Sequence, residues 1–202
     1  MKAALAAIGG TALPLLTALP ASADPPPRVS IHVASARGCG GNMGADILLT
    51  PPSVEGFGIR IYLPLMTVSA GKGVPAEEAR KTCDIALIIN LPLKYTWALK
   101  STRISGIADL DPEATGEVAH GYRLQGKDPG REISHPIKAP QRSWRFEDET
   151  PLEHPCVAER AVTLSTRLQV KAADTAKVSW ISMEEYPDTR TEYTFTFKPC
   201  HP

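Results

Sequence analysis

The sequence lacks most of the features that would assign a chemistry. It has no excess charge, because 22 lysine and arginine residues balance 22 aspartate and glutamate residues. A neutral chain has no general attraction to nucleic acid or to an anionic membrane surface, so neither is expected as a partner. Histidine is sparse, with five scattered residues. The signatures G-x-S-x-G and H-E-x-x-H are both missing, which removes the sequence evidence for a serine-hydrolase elbow or a zinc protease.

Cysteine is also scarce, with four residues and no C-x-x-C pair. Structural zinc sites usually place cysteines in such close pairs, so a cysteine zinc site is not expected. An even cysteine count in an exported chain is typical of disulfides, and three pairings are open. We favour Cys39–Cys83 and Cys156–Cys200, because the crossed and nested pairings would join the two ends of the chain. Each favoured bridge would contribute about 4 kcal/mol through loop entropy.

The long hydrophobic run of the chain is confined to its N-terminus. Lys2 precedes an apolar stretch over residues 3–19, and residues 21–23 form a small-x-small cleavage site. This order is typical of a secretory signal peptide over residues 1–23. Pro14 interrupts the run, which is also short for a membrane anchor. We therefore expect a secreted protein without a membrane anchor.

Removal of the signal peptide would leave one secreted β domain over residues 24–202, with a proline-rich lead-in at 24–28. Its length suits one domain with its own core. Lys2 is the only charged residue removed, so the formal net charge becomes −1. No cofactor is expected, and we expect a monomer.

Alternation of apolar and polar residues is the main structural signal. In AVTLSTRLQVKA, residues 161–172, Val162, Leu164, Leu168 and Val170 share a face with Thr166. TEYTFTFK, residues 191–198, places Tyr193, Phe195 and Phe197 on one face. A period of two predicts half-buried strands. In KVSWISM, residues 177–183, the same logic puts Val178, Trp180 and Ser182 on one face and Ser179, Ile181 and Met183 on the other, with both faces covered.

The central region is more apolar. CDIALIINLPLKYTWAL, residues 83–99, fits a strand buried on both faces or a short helix, and its β-branched residues and Pro92 favour the strand. Helical signals are limited to VPAEEAR, where Pro75 precedes two glutamates in a first turn. The many short strands and the 19 prolines and 15 glycines between them predict an antiparallel β-sandwich or jelly-roll-like fold.

The order of these segments is similar to a known family. ADPPPRVSIHVASARGCGG follows the signal peptide, then GVPAEEARKTCDIALIINLP, ISGIADLD, TGE, a late HPC and a cysteine almost at the C-terminus. In this order and spacing, the chain resembles secreted microbial proteins grouped as domain of unknown function 4360 (DUF4360). The resemblance covers essentially the whole mature chain. It implies an exported, disulfide-bonded, mainly-β single domain, and it implies no established chemistry or catalytic residues.

Candidate metal or catalytic residues are few. Asp109 and Asp111 would share a face of a strand, with Glu113 nearby. Such carboxylates suit Ca²⁺, or an acid pair of a glycosidase if a partner faces them across a cleft. The alternative is a polar strand end that runs into a turn. Likewise FEDET, residues 146–150, is interpreted as a solvated acidic edge that discourages aggregation.

The C-terminal bridge suggests a second candidate. If Cys156 is bonded to Cys200, His154 and His201 come near each other, with Glu153 close by. Two imidazoles and a carboxylate could form a weak Zn²⁺ or Cu²⁺ site. The alternative is that both rings point into solvent at a fraying chain end.

Aromatic side chains could serve the core or a ligand. A sandwich needs large inward residues, so we expect core positions for Trp97, Trp144 and Trp180. The alternative is a sugar-stacking platform formed together with Tyr95 and Tyr193.

Two functions remain open from the sequence. The first is a non-catalytic secreted binding or surface-interaction module for an extracellular ligand, a glycan or a protein. The second is an extracellular hydrolase acting on polysaccharide or protein, with Asp109, Asp111 or Glu147 in its site. The missing catalytic motifs favour the first. A cleft with two facing carboxylates, one with a raised pKa, would favour the second.

Overall fold

The computed structural model describes residues 25–39, 46–63, 66–126, 130–156, 161–173, 176–183 and 190–200. The predicted signal peptide and His201 lie outside these residues. Strands dominate the described chain, in the order β1 (Ser30–Arg37), β2 (Asp46–Leu49), β3 (Gly56–Tyr62), β4 (Thr67–Ala70), β5 (Arg80–Asn90), β6 (Tyr95–Asp109), β7 (Thr115–Leu124), β8 (Arg131–Lys138), β9 (Ser143–Glu153), β10 (Val162–Lys171), β11 (Ser179–Ser182) and β12 (Thr191–Pro199).

Two antiparallel sheets form a sandwich, as predicted. Sheet A has the order β1-β5-β10-β7-β8. Sheet B has the order β2-β3-β12-β6-β11-β4, and β9 also pairs with β6. Residues 98–104 of β6 pair with both β12 and β9, so these two strands flank β6 on opposite sides. Thus β8 ends sheet A, and β9 pairs with a single described strand of sheet B.

The inward faces of both sheets build one core. In β10 every second residue from Val162 to Val170 is buried, including Thr166, which confirms the predicted alternation. Sheet B contributes Trp97, Tyr193 and Phe195, each 1% exposed. The first part of the segment that could have been helical lies in β5, with Ile85, Leu87 and Ile89 facing inward. The large inward side chains come from alternate positions because side chains of a strand point to opposite faces.

The prediction for Trp180 was wrong. Trp180 is only partly buried, whereas its neighbour Ile181 is fully buried. The register explains the difference: Ile181 is paired with Val68 on β4 and with Ala108 on β6, and both are core residues. A shift of one residue exchanges the two faces of a strand, and local alternation in KVSWISM did not determine which face was inward.

Helix is limited to one 3-10 turn in the described chain, Ala76–Ala79, at the place where the sequence predicted a first helical turn. It leads directly into β5. None of the described helical structure is long and apolar enough to cross a membrane.

The two predicted disulfides are present, and each joins strands of one sheet. Cys39, just after β1, is bonded to Cys83 in β5, with a Cα–Cα distance of 4.4 Å. Cys156, just after β9, is bonded to Cys200 at the end of β12, with a Cα–Cα distance of 5.6 Å. The first bridge therefore lies at sheet A and the second at sheet B. Neither bridge joins the two sheets.

Candidate metal centre

Three strands at one edge of the sandwich each point a polar side chain into the space between the sheets. His120 lies on β7 and His135 on β8, both in sheet A, and Asp148 lies on β9 of sheet B. Each residue takes its direction from strand alternation. Val118 and Tyr122 flank His120 on the buried face of β7, and the same spacing applies on the other two strands. The short connection between β8 and β9 brings the two sheets together here.

Both histidines contact the same carboxylate oxygen of Asp148. The Nε2 atom of His120 lies 2.7 Å from Oδ2 of Asp148, and that of His135 lies 2.8 Å from the same oxygen. An ionised carboxylate accepts hydrogen bonds and donates none, so each imidazole donates its Nε2–H to Asp148. All three ligand-type atoms lie within 4.8 Å of one another, and this is the only such group among the described residues.

Burial differs across the cluster. The His120 side chain is 0% exposed, whereas those of His135 and Asp148 are 20% and 17% exposed. The His135 ring stacks on Phe146 of β9, with centroids 4.1 Å apart and planes 4° from parallel. The site is therefore closed by the core on the His120 side and reached by solvent on the side of His135 and Asp148.

Burial and the shared hydrogen bonds set the protonation of the cluster. Burial lowers the pKa of His120 below its ordinary value, and the hydrogen bond and charge of Asp148 only partly compensate. For Asp148, burial opposes ionisation, but the hydrogen bonds from His120 and His135 outweigh it and lower its pKa. A neutral His120 and an ionised Asp148 are the forms in which a transition-metal ion binds these side chains.

The three side chains fit a metal ion if the two contacts to Asp148 lengthen, and binding leaves one buried ring nitrogen without a hydrogen-bond partner. Bonds to Zn²⁺ of about 2.0–2.2 Å place tetrahedral ligand atoms about 3.3 Å apart, so the two contacts to Asp148 must lengthen by about half an ångström. Nδ1 of His120 is buried and has no hydrogen-bond partner in the described chain. When Nε2 binds a metal, the ring proton must sit on Nδ1, and an unsatisfied buried donor costs about 1–3 kcal/mol.

The residues proposed from the sequence lie elsewhere. Asp109 makes an ion pair with Lys177 at 3.4 Å. Asp111 accepts a hydrogen bond from the backbone N–H of Glu113 at 3.2 Å, and its own N–H donates to Ser179 at 2.9 Å. These contacts place Asp111 in the turn that follows β6. The structure does not bring Asp109 and Asp111 together with a third ligand among the described residues.

His154 makes contacts of its own next to the C-terminal bridge. The Thr96 hydroxyl donates to its carbonyl oxygen at 2.9 Å, and its ring packs against Trp97 with centroids 4.7 Å apart. Glu153 is paired with Lys198. The proposed approach of His154 and His201 stays a prediction, because His201 lies outside the described residues.

Sequence reasoning missed all three residues of the cluster, although a signal was present. Each stands on the apolar face of an alternating strand: Val118-x-His120-x-Tyr122, Ile133-x-His135-x-Ile137 and Phe146-x-Asp148-x-Thr150. The interpretation of residues 146–150 as a solvated acidic edge holds for Glu147 and Glu149, which are exposed, and was wrong for Asp148. A titratable residue at an inward position of a strand was the feature to look for.

A second partly buried carboxylate lies on the outer face of sheet B. Glu192 of β12 is 16% exposed and is contacted by Arg60 at 2.6 Å, Arg190 at 3.1 Å and Arg103 at 3.2 Å. Arg103 also pairs with Glu147 at 2.9 Å. Burial alone would raise the pKa of Glu192, but the hydrogen bond of Arg60 and the charges of Arg190 and Arg60 lower it. A pocket of about 320 Å³ beside this network is lined by Glu192, Arg60, Glu55 and Lys100 among others.

Fold and site together define a disulfide-bonded antiparallel β-sandwich with a candidate two-histidine, one-carboxylate metal centre at one edge. The chain belongs to the family described as Domain of unknown function (DUF4360), whose model matches residues 27–200. No curated protein matches the chain. A solved structure titled "CBM4 structure and function" is similar at 15% identity, over 88% of this chain and 90% of that chain, with a TM-score of 0.20. A similarity of this size carries no argument about function.

Proposed function

We propose that this protein is a secreted, non-catalytic binding module whose ligand is a divalent transition-metal ion. The observation that carries the proposal is that ligand atoms of His120, His135 and Asp148 lie within 4.8 Å of one another, at a place where two of the three side chains are partly exposed. Two imidazole nitrogens and one carboxylate oxygen suit Zn²⁺ or Cu²⁺, whereas Ca²⁺ and Mg²⁺ favour sites made of oxygen atoms. Secretion is supported by the two disulfides, which persist in oxidising compartments.

The affinity of this site should be moderate. Only three protein ligands are available, whereas closed structural zinc sites have four. The buried Nδ1 of His120 adds its penalty of about 1–3 kcal/mol, which corresponds to a loss of about 5- to 150-fold in affinity. A site of this kind captures and releases an ion as its concentration changes.

The hydrolase alternative has weaker support. A glycosidase needs a carboxylic acid with a raised pKa opposite a second carboxylate. Among the described residues, the two carboxylates with shifted pKa values are Asp148 and Glu192, and both pKa values are lowered. Glu147, a sequence candidate for that site, is paired with Arg103 on the outer face of sheet B. A binding module agrees better with these pairings, and an additional glycan or protein partner stays a prediction.

Calorimetric titration of metal-free residues 24–202 with ZnCl₂ and with CuCl₂ tests the proposal. We expect one ion per chain, and a loss of at least about tenfold in affinity for His135→Gln and for Asp148→Asn, because each removes one of three ligands. His32→Gln is the matched control, since His32 is an exposed histidine on β1. Equal binding by all four proteins would place the ion elsewhere and end the proposal. The variant His154→Gln tests the C-terminal site predicted from the sequence in the same way.

A further inference from the structure

The two disulfides do not connect sheet A with sheet B. Cys39–Cys83 joins two strands of sheet A, and Cys156–Cys200 joins the ends of two strands of sheet B. The metal centre is built differently, because its histidines belong to sheet A and its aspartate to sheet B. An ion held by all three side chains would link the two sheets.

Two of the three strands that carry this link, β8 and β9, are edge strands, whereas β7 lies inside sheet A. In the described chain β8 pairs only with β7, and β9 pairs only with β6. A strand with one hydrogen-bonded neighbour separates from its sheet at lower free energy than a central strand, so this edge is a place where the sandwich opens locally. Opening there would move β9 away from β8 and would separate Asp148 from His135.

Without an ion, polar and aromatic contacts between the sheets hold this edge closed, in addition to the core packing of Ile137 on β8 and Trp144 on β9. Asp148 accepts hydrogen bonds from His120 and His135, and His135 stacks on Phe146. The Tyr122 hydroxyl on β7 also donates to the carbonyl oxygen of Pro151 on β9 at 3.4 Å. Each of these contacts crosses from one sheet to the other, and each would be lost if the edge opened.

Resting on the proposed function, we infer that the bound ion reversibly links the two sheets at the β8–β9 edge and holds this edge closed. The closed edge offers the ion three ligands, whereas the open edge offers at most the two histidines of sheet A. The ion therefore binds the closed form more tightly and shifts the population towards it. Because His135 and Asp148 are partly exposed and a coordination position stays free, the ion exchanges, and its free concentration sets how often the edge opens.

Population arithmetic gives the size of the effect. An ion at one hundred times its dissociation constant, bound only by the closed form, lowers the open population about 100-fold. Hydrogen exchange that proceeds through local opening slows by the same factor. The effect should be confined to backbone amides of β8 and β9. Strand β1 is the internal control, because it is also an edge strand of sheet A but lies at the opposite end from the metal centre.

Hydrogen exchange of the metal-free and Zn²⁺-loaded protein, followed by mass spectrometry of peptides from each strand, tests the inference. We expect slowing of up to about 100-fold in β8 and β9 and no change in β1. His32→Gln should behave as the wild type. His135→Gln and Asp148→Asn should lose the slowing, and His135→Gln suffices if Asp148→Asn fails to fold.

The outcomes separate the inference from the proposed function. If calorimetry shows zinc binding but hydrogen exchange in β8 and β9 is unchanged, the inference that the ion links the sheets is wrong, and the metal-binding function still stands. Equal slowing in β1, β8 and β9 would indicate general stabilisation and would also overturn that inference. Absence of zinc binding at the three residues would overturn both. Slowing confined to β8 and β9, and lost in His135→Gln, supports both.

Discussion

Asp148 and Glu192 have similar exposure and different partners. Their side chains are 17% and 16% exposed, and the pKa of each is lowered. Asp148 lies between the sheets and accepts hydrogen bonds from two histidines. Glu192 lies on the outer face of sheet B and is contacted by three arginines.

The partners decide what each carboxylate is able to do. An arginine keeps its proton at any ordinary pH and offers no lone pair to a metal ion. A neutral histidine is able to carry its ring proton on Nδ1, and its Nε2 atom then offers a lone pair to a metal ion. The arginine network is therefore a fixed ionic contact, whereas the histidine cluster has the lone pairs to bind a metal ion. Burial of a carboxylate does not by itself indicate a metal site. The neighbouring side chains decide, because histidine offers a lone pair to a metal ion and arginine does not.

The largest expected effect is a stabilisation by metal that requires Asp148 and does not require Glu192. Zn²⁺ at one hundred times its dissociation constant should stabilise the wild type by about 2.7 kcal/mol, which raises the melting temperature by roughly 5–10 °C. Glu192→Gln should retain this rise, and Asp148→Asn should lose it. Differential scanning calorimetry with and without chelator measures both. A rise that persists in Asp148→Asn would remove the distinction between the two carboxylates.

Without metal, the order of the two variants should reverse. Glu192→Gln leaves Arg60, Arg103 and Arg190 around a neutral amide, and we expect a loss of about 2 kcal/mol, less than for a deeply buried pair because Arg60 and Arg103 are 41% and 45% exposed. Asp148→Asn should cost about 1 kcal/mol, because an amide oxygen in the place of Oδ2 still accepts both histidine protons and only the negative charge is lost. Urea denaturation in the presence of chelator gives both values. A greater loss for Asp148→Asn would show that the histidine cluster is the stronger ionic contact.

Acidification of the metal-free protein should separate the loss of the His120 contribution from the loss of the two carboxylate contributions. The pKa of His120 is lowered on folding, so its contribution to stability is complete above its ordinary pKa of about 6.5 and is lost as the pH falls. The lowered pKa values of Glu192 and Asp148 give contributions that are complete above about pH 4.3 and are lost at still lower pH. Urea midpoints measured from pH 8 to pH 3 should fall in two stages, and His120→Gln should flatten the first. A first stage unchanged in His120→Gln would assign it to another group.

The smallest effect on the free energy of unfolding is expected at Asp109, which is an exposed carboxylate. Asp109 pairs with Lys177, and their side chains are 45% and 71% exposed. Such surface pairs contribute little, so Lys177→Ala should change the free energy of unfolding by less than about 0.5 kcal/mol. Urea denaturation measures it, and a loss near that of Glu192→Gln would contradict the small contribution expected here.

The sequence predicted the strands well and the cluster not at all, for one physical reason. Alternation is local, so it assigned the inward face of β10 correctly from that segment alone. The cluster depends on sheet order, because β7 and β8 belong to one sheet and β9 to the other. Alternation places His120, His135 and Asp148 on inward faces but does not say which strands meet across the core. The error at Trp180 has the same origin, since partners on β4 and β6 set its register.

The position of each disulfide also determines how the molecule would carry a mechanical load. A pull on the N-terminal end would peel β1 from β5 only as far as Cys39, where the bond to Cys83 stops it. A pull on the C-terminal end would pass through Cys200 to Cys156 and so reach the end of β9, the strand that bears Asp148. Neither bond resists shear between the sheets. That force would fall on the packed core and, at the β8–β9 edge, on two histidines and an aspartate.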